Sequence, residues 1–543
     1  MSRWDRAAIE WGLPEPLLME NAAREAFHVL VAAVAPKGVT DAANVLHGKR
    51  VLLFMGSGNN GGDAACLARQ IHAAGGDVLV LHTRPLRASK GATGRHVRLA
   101  RRCGVLFAPA SGWPNRYRDT VWDPLWQAEG TSRGSGPDIV VDGLLGTGFS
   151  GTLRPEEHRL VLRINALAAL RGIFVLALDI PSGLNGLTGR PCPLAVRAHA
   201  TVTFEAAKPG LILPEASPFV GQLHIRPIGI PRLVRESYPA SYQSIDRDLA
   251  ALLPMPTPHW HKGSAGTVLI IGGTDGLTGA PHLAARAALR SGAGLVRVAA
   301  PAGLCNDIKA HCPDIMTQPL GDARTTRWSP ALLKELLPAL AQSDAVVIGP
   351  GIGREPDTIA FVLAFLAQTR PATVIDADAL YALATAPHCL QTLKKTDILT
   401  PHPGEAARLL EGGTATQGEV CGTAQIQADR FAALEALRAL SPAVWILKGA
   451  GTLVGSPEHP VSVCPHAVPN LAVGGSGDVL AGCLGTLLAQ SPPDSHLVAC
   501  LGVLLHAEAG RLLAHTFPVR GNTASDIADA LPKARSELVQ TSD

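Results

Sequence analysis

Short apolar runs recur along the chain, and each is closed by Gly, Asp or Pro. Over the first 230 residues RVLLFM (50–55), DVLVLH (77–82), DIVVDGLL (138–145) and IFVLALDI (173–180) read as strands. Between them lie stretches rich in Ala, Leu and Arg at helical spacing. Strands that are apolar on both faces and alternate with helices predict a parallel sheet covered on both sides. ATVTFEAAKPGLIL (200–213) and GQLHIRPIGI (221–230) are expected to complete it, ending a first domain at Pro231.

The rhythm breaks in a polar, proline-bearing stretch expected to be a connector over 232–257. It restarts with GTVLIIGG, GLVRVAA, DAVVIGPG, TVIDADA, DILTPHPGE and AVWILKGAG, and helices such as APHLAARAALRSGAG lie between them. The expected fold class is therefore α/β. Two domains, 1–231 and 258–543, each hold a mainly parallel sheet flanked by helices. The halves share a grammar without an evident repeat.

Length supports the division, because 543 residues exceed what one hydrophobic core holds. With 47% apolar and 17% charged residues, general disorder is excluded. A net charge of +3, with no basic stripe interleaved with aromatics, argues against a nucleic-acid partner. Ten cysteines without a CxxC pair suit burial in a reducing compartment. The N-terminus, MSRWDRAAIEWG, is unlike a signal peptide. The apolar run VACLGVLLHA is too short to span a membrane. A cytoplasmic homo-oligomer with no membrane partner is expected.

Chemistry concentrates where strands end. In GSGNNGGD (56–63), directly after RVLLFM, four glycines give up folding entropy so that backbone can approach a partner. The loop is expected to run into a helix, DAACLARQIHAAGG, whose dipole and free N–H groups suit an anion. VVDGLLGTGFSG (140–151), LALDIPSG (176–183) and FEAAKPG (204–210) fall at other strand ends. Each alone is compatible with a tight turn, and Asp142 and Asp179 with capping. Together they set phosphate cradles, two carboxylates, a hydroxyl and a lysine on one rim. GSGNNGGD lacks the lysine of a P-loop, so simple nucleotide hydrolysis is not indicated.

In the second half GGSGDVLAG (474–482) frees successive N–H groups at a helix start and aims Asp478 at them. This arrangement suits phosphoryl transfer, with the aspartate taking a hydroxyl proton. Capping by Asp478 is the plain alternative. KGAGT (448–452), after the strand AVWIL, adds a second ligand-facing turn.

The set LLMENAA, NNGGD, DGLLGTGFSG, DIPSG and AAKPG resembles the NAD(P)H-hydrate epimerases across residues 1–230. The resemblance implies a Rossmann-like domain that interconverts the R and S hydrates of NADH and NADPH. It implies that Asn59, Asn60, Gly61, Gly62 and Asp63 line the hydrate, with Gly146, Thr147, Gly148, Phe149, Ser150, Gly151 and Thr152. Asp179 would contact the hydrate and move a proton, with Lys208 as a further catalytic candidate or as its ion-pair partner. Asn60, Asp142 and Ser182 would hold K+.

GGSGD with KGAGT, GPGIG (349–353) and TPHPGE (400–405) resembles the ribokinase-like superfamily, in its NAD(P)H-hydrate dehydratase branch, over 255–535. The implied nucleotide contacts are Lys448, Gly449, Ala450, Gly451, Thr452 and Gly477; the implied hydrate contacts are Ala280, Gly353, His402 and Asp478. His402 is otherwise an ordinary loop histidine. Glu405 is either a helix cap or a water-bridged Mg2+ ligand. ADP with Mg2+ is the implied phosphoryl donor, and the residues do not separate ADP from ATP. The chain departs from the family form GMATGGSGD in Leu471 and Val473. The competing enzyme reading is a small-alcohol kinase that releases a stable phosphoester. A scaffold with both sites inert is the competing binding-protein reading.

Overall fold

Apolar runs buried on both faces build two sheets. The computed structural model describes residues 2–36, 41–112, 136–149, 151–170, 172–413, 422–490 and 494–540. Internal packing divides the chain into units of residues Met1–Ala240 and Ser241–Asp543.

The first unit contains β1 (Arg50–Met55), β2 (Asp77–His82), β3 (Leu106–Pro109), β4 (Ile139–Gly143), β5 (Phe174–Leu178), β6 (Ala200–Phe204) and β7 (Gln222–Arg226). Their order is β3-β2-β1-β4-β5-β6-β7, parallel throughout. Alternate residues of β1 serve opposite cores. Val51, Leu53 and Met55 join the helices Glu15–Val34 and Asn59–Ala73, whereas Leu52 and Phe54 join Pro155–Ala168. Winding reverses between β1 and β4, so a crevice opens beyond their C-terminal ends. Gly56 is required there, because a Cβ would lie 1.8 Å from the Leu144 carbonyl oxygen. The run expected as one strand from Ala200 stops at Phe204. Glu205 takes a φ of +63°, and Pro209–Ile212 is a helical turn.

The second unit holds β8 (Tyr242–Ser244), β9 (Thr267–Ile271), β10 (Leu295–Pro301), β11 (Met316–Leu320), β12 (Ala345–Ile348), β13 (Ala372–Ile375), β14 (Ile398–Leu399), β15 (Val444–Leu447), β16 (Leu453–Gly455) and β17 (Val461–Val463). The order is β11-β10-β9-β12-β13-β14-β15-β16-β17-β8. It is parallel except around β16, which runs antiparallel to both neighbours. The expected connector is thus partly sheet, since β8 pairs with β17 in register Tyr242 to Val461. Its three residues are too few to show a period.

Helices Gly279–Ser291, Ser476–Ala489, Ser495–Thr516 and Ala524–Gln540 share one large core cluster with the sheet. Ser495–Thr516 corrects the expectation that no apolar run has membrane-span length: its 22 residues and mean hydropathy of 1.6 satisfy that test. Yet 72% of the apolar window is buried inside the unit, which accounts for its composition. Ser476–Ala489 lies so close to Gly279–Ser291 that a Cβ at Gly482 would sit 2.0 Å from the Ala284 carbonyl oxygen.

That contact positions the N-terminus of Ser476–Ala489. Gly482→Ala is expected to force the helices apart and cost about 1–3 kcal/mol, as overpacking does. Calorimetry of the second unit's unfolding checks it, and an unchanged midpoint would refute the close-packing account.

Candidate active sites

A cavity of about 640 Å³ occupies the crevice of the first unit. NNGGD is already the first turn of the helix Asn59–Ala73, with Gly58 as its N-cap, and is not the loop expected before it. Asn59, Asn60 and Asp63 line the cavity. Gly61 and Gly62 do not line it, because they serve packing. A Cβ at Gly61 would lie 2.1 Å from the Gly56 carbonyl oxygen, and one at Gly62 would lie 2.5 Å from Met19 Cε. From the loop after β4, Gly146, Thr147, Gly148, Phe149 and Thr152 line the cavity, whereas Gly151 does not. Ser150 lies outside the described residues.

Asp179 caps β5 with a φ of +62°, a left-handed conformation that costs a non-glycine residue of order 1–3 kcal/mol. Its Oδ1 accepts a short hydrogen bond from Lys208 Nζ, which also donates to Thr203 Oγ1 at 2.7 Å. Lys208 is buried yet reaches the cavity wall. The geometry therefore contains the ion pair that is one of the two readings of Lys208. Sequence reading missed Asp5, Glu15 and Met19, which approach the same cavity from the N-terminal helices. Burial, reinforced by Asp179 and Asp5, holds the Asp63 carboxyl well above the ordinary range.

Beneath the floor, Asp142 is fully buried at the end of β4. It accepts from Ser182 N at 2.7 Å, Ser182 Oγ at 2.6 Å and Leu144 N at 3.2 Å. None of these donors is charged, and burial pushes its pKa to about 6. Asn60 Nδ2 donates to the Leu145 carbonyl at 2.7 Å, which leaves its buried Oδ1 without a hydrogen-bond partner among the described residues. An anionic carboxylate and an orphaned amide oxygen so close to one turn form a donor set for a hard cation.

A cavity of about 560 Å³ lies at the C-terminal side of the second sheet. Lys448, Gly449, Ala450 and Thr452 line it after β15, and Ser476, Gly477 and Asp478 line it from the helix start. Gly451 lies off the wall. Arg430, buried behind the turn, fixes it by donating to the carbonyls of Ala450, Gly451 and Leu447. Asp376 was missed in the sequence, where it passes for a turn residue after TVI. It is buried, accepts from Lys448 Nζ at 2.8 Å and Thr400 Oγ1 at 2.6 Å, and precedes Ala377 with φ +50°. Gly349 must be glycine, because a Cβ would meet the Asp376 carbonyl oxygen at 1.8 Å.

His402 lines the cavity, and burial lowers its pKa, so the imidazole is neutral near pH 7. Glu405 Oε2 accepts from His402 N at 2.8 Å, as a cap does, and lies 3.8 Å from Lys448 Nζ. Ala280 and Gly353 do not line this cavity. Gly353 N donates to Asp378 Oδ2 at 3.1 Å, and Ala280 packs beside Gly351. Leu471 and Val473 stand on the wall and make it apolar there. Burial, with Asp376 nearby, raises the Asp478 carboxyl to about 7, against the opposing effect of Lys448. A carboxyl poised at neutrality beside free main-chain N–H groups is fitted to proton transfer during attack on an anion.

A family profile described as NAD(P)H-hydrate dehydratase matches residues 268–533, and one described as YjeF-related protein N-terminus matches 16–210. The bifunctional NAD(P)H-hydrate repair enzyme Nnr of Moorella thermoacetica is 35% identical over 98% of this chain and 94% of its own length. The same-named enzyme of Escherichia coli is 33% identical over 89% and 84%. A bifunctional NAD(P)H-hydrate repair enzyme of Leishmania braziliensis is 32% identical over 97% and 90%. Among solved structures, an ADP/ATP-dependent NAD(P)H-hydrate dehydratase from Bacillus subtilis, co-crystallised with ATP and Mg2+, is 25% identical. It covers 54% of this chain and 98% of its own, with a TM-score of 0.43.

The raised Asp478 carboxyl sets a pH dependence. As pH rises from the unfolded pKa of about 3.9 to the folded value of about 7, the unfolded chain loses its proton first, so stability falls. Asp478→Asn, which never ionises, is expected to be more stable than wild type at pH 8, by up to about 4 kcal/mol. The two should converge near pH 4. Denaturant unfolding at both pH values checks this, and a gap independent of pH would contradict it.

Proposed function

Because this chain belongs to the family of bifunctional NAD(P)H-hydrate repair enzymes, we propose that its first cavity epimerises R- and S-NAD(P)HX and its second dehydrates the S epimer. The observation that carries the proposal is the pairing of two glycine-bounded strand-end cavities, with Asp179 on the wall of the first and Asp478 on the wall of the second.

In the first cavity the reacting C6 carries a hydroxyl and neighbours the ring nitrogen. Departure and return of that oxygen pass through a cation-like ring, which the carboxylate of Asp179 would stabilise while moving the proton. Lys208 and Thr203 orient Asp179, and Asn59 with the Gly146–Gly148 turn offers main-chain and amide groups to the dinucleotide. Asn60, Asp142 and Ser182 fit K+ through the orphaned Asn60 Oδ1 and the buried anion. The ion would supply positive charge below the cavity floor.

In the second cavity Asp478 takes the proton of the C6 hydroxyl as its oxygen attacks the terminal phosphoryl of ADP. The P–O bond to AMP breaks. Phosphate then leaves C6 with its bonding electrons, C5 gives up a proton, and the dihydronicotinamide, AMP and phosphate result. The KGAGT turn and the Gly477 N–H would grip the nucleotide phosphates, and Lys448, held by Asp376, would balance their charge. One ammonium faces Asp376, Glu405 and Asp478, a carboxylate excess that fits Mg2+ carried with the nucleotide. The ion would neutralise phosphate charge.

The test offers an R/S mixture of the hydrates with ADP and Mg2+ and follows the near-ultraviolet absorbance of NADH. Wild type is expected to recover all of it, Asp179→Ala only the S portion at enzymatic speed. Asp478→Ala should fall by at least about 10²-fold. Equal progress by all three would overturn both assignments. A stable phosphoester in place of inorganic phosphate would establish the kinase reading.

The cation site makes its own prediction. Asp142 is anionic only above about pH 6, so KCl in place of choline chloride is expected to raise the unfolding midpoint of the first unit at pH 8 and not at pH 5. Equal effects at both pH values would count against K+ at Asp142.

A further inference from the structure

Behind the first cavity, three helices of the first unit bring metal-binding side chains together. Glu20 comes from Glu15–Val34, Cys66 from Asn59–Ala73 and His96 from Gly91–Arg102. One ligand atom from each lies within 4.8 Å of the other two. Glu20 Oε2 is 3.2 Å from Cys66 Sγ and 3.7 Å from His96 Nδ1. A tetrahedral zinc ion, with bonds of about 2.3 Å to sulfur and about 2.0 Å to nitrogen and oxygen, needs ligand–ligand separations of about 3.3–3.6 Å.

The histidine supplies the independent observation. His96 is 3% exposed, and its Nε2 lies 3.1 Å from the Pro16 carbonyl. A carbonyl only accepts, so in the neutral ring Nε2 carries the proton and Nδ1 presents a lone pair. Nδ1 has no hydrogen-bond partner among the described residues and faces the Glu20 carboxylate, acceptor against acceptor. Metal-bound histidines are oriented in this way, with the distal N–H on a carbonyl and the other nitrogen on the ion. Arg69 Nη2 at 2.5 Å and Gln70 Nε2 at 2.9 Å both bind Glu20 Oε1, leaving Oε2 turned to Cys66 and His96.

We infer that Glu20, Cys66 and His96 form a zinc-type site, with a fourth position for water, in the first unit. The buried Cys66 thiol, which donates to Glu20 Oε2, gives up its proton through that half-exposed carboxylate to solvent as the ion binds. Glu20 is 38% exposed at its side chain, which gives the ion an entry path. The three ligands tie together helices that carry Met19, Asn59, Asn60 and Asp63 to the cavity, so the ion is a staple across the back of that wall. The inference is independent of the reaction assigned to the cavity.

The test uses the chelator-treated full chain titrated with Co2+ alone and then Zn2+ alone. One Co2+ per chain is expected, with a thiolate-to-cobalt charge-transfer band that Zn2+ abolishes. Cys66→Ala should lack the band. Glu20→Gln and His96→Gln should each weaken binding at least about tenfold, since even the loss of an orienting partner costs that much. Absence of the band in wild type, or its survival in Cys66→Ala, overturns the site. Undiminished affinity in both Glu20→Gln and His96→Gln does so even where Cys66→Ala fails to fold.

Discussion

Carboxylates are costly to hold away from water, and each unit holds one beside its strand-end cavity. Asp142 lies fully buried below the first cavity, and Asp478 stands half-buried on the wall of the second. Neither has a full counter-charge of its own. Burial moves the titration of Asp142 to about 6, and burial with Asp376 nearby moves that of Asp478 to about 7. The scaffold tolerates this because β1, β4, β13 and β15 sit inside sheets whose apolar faces are covered on both sides. The surplus stability of those cores bears the local cost.

The two units distribute a lysine and two carboxylates differently. In the first, Lys208 is committed to Asp179, a residue that faces the cavity, and Asp142 is left to the neutral donors of Ser182 and Leu144. In the second, Lys448 is committed to Asp376, and Asp478, the inward residue, keeps a raised pKa. The first arrangement pairs the inward carboxylate with an ammonium. The second keeps a carboxyl able to gain or lose a proton near neutrality. The lysine thus pairs with an inward aspartate in one unit and with a second, buried aspartate in the other.

Glycine works at closer range than a phosphate cradle suggests. Gly56, Gly61, Gly349 and Gly482 each face a carbonyl oxygen within 2.1 Å of where a Cβ would stand. They let a helix or turn settle on a strand end or a neighbouring helix, and the cavity-lining side chains inherit their positions from that contact. Helix Asn59–Ala73 shows both uses, with Asn59, Asn60 and Asp63 turned to the cavity, Gly61 and Gly62 to packing, and Cys66 to the back wall.

The sequence by itself determined the α/β alternation, because a strand buried on both faces leaves a continuous apolar run such as RVLLFM or IFVLALDI. It also determined where chemistry would sit, since glycine-rich turns after such runs mark the ligand-facing ends of a parallel sheet. Only the tertiary structure decided which charges face each other. Asp376 meets Lys448 across 72 residues, and Asp5 and Glu15 enter a cavity whose loops come much later in the chain. It also drew β8 to β17 out of an apparent connector and buried an apolar helix of membrane-span length. Local patterns report burial and turning, which neighbouring residues encode. Pairing between distant side chains depends on strand order, and no local period carries it.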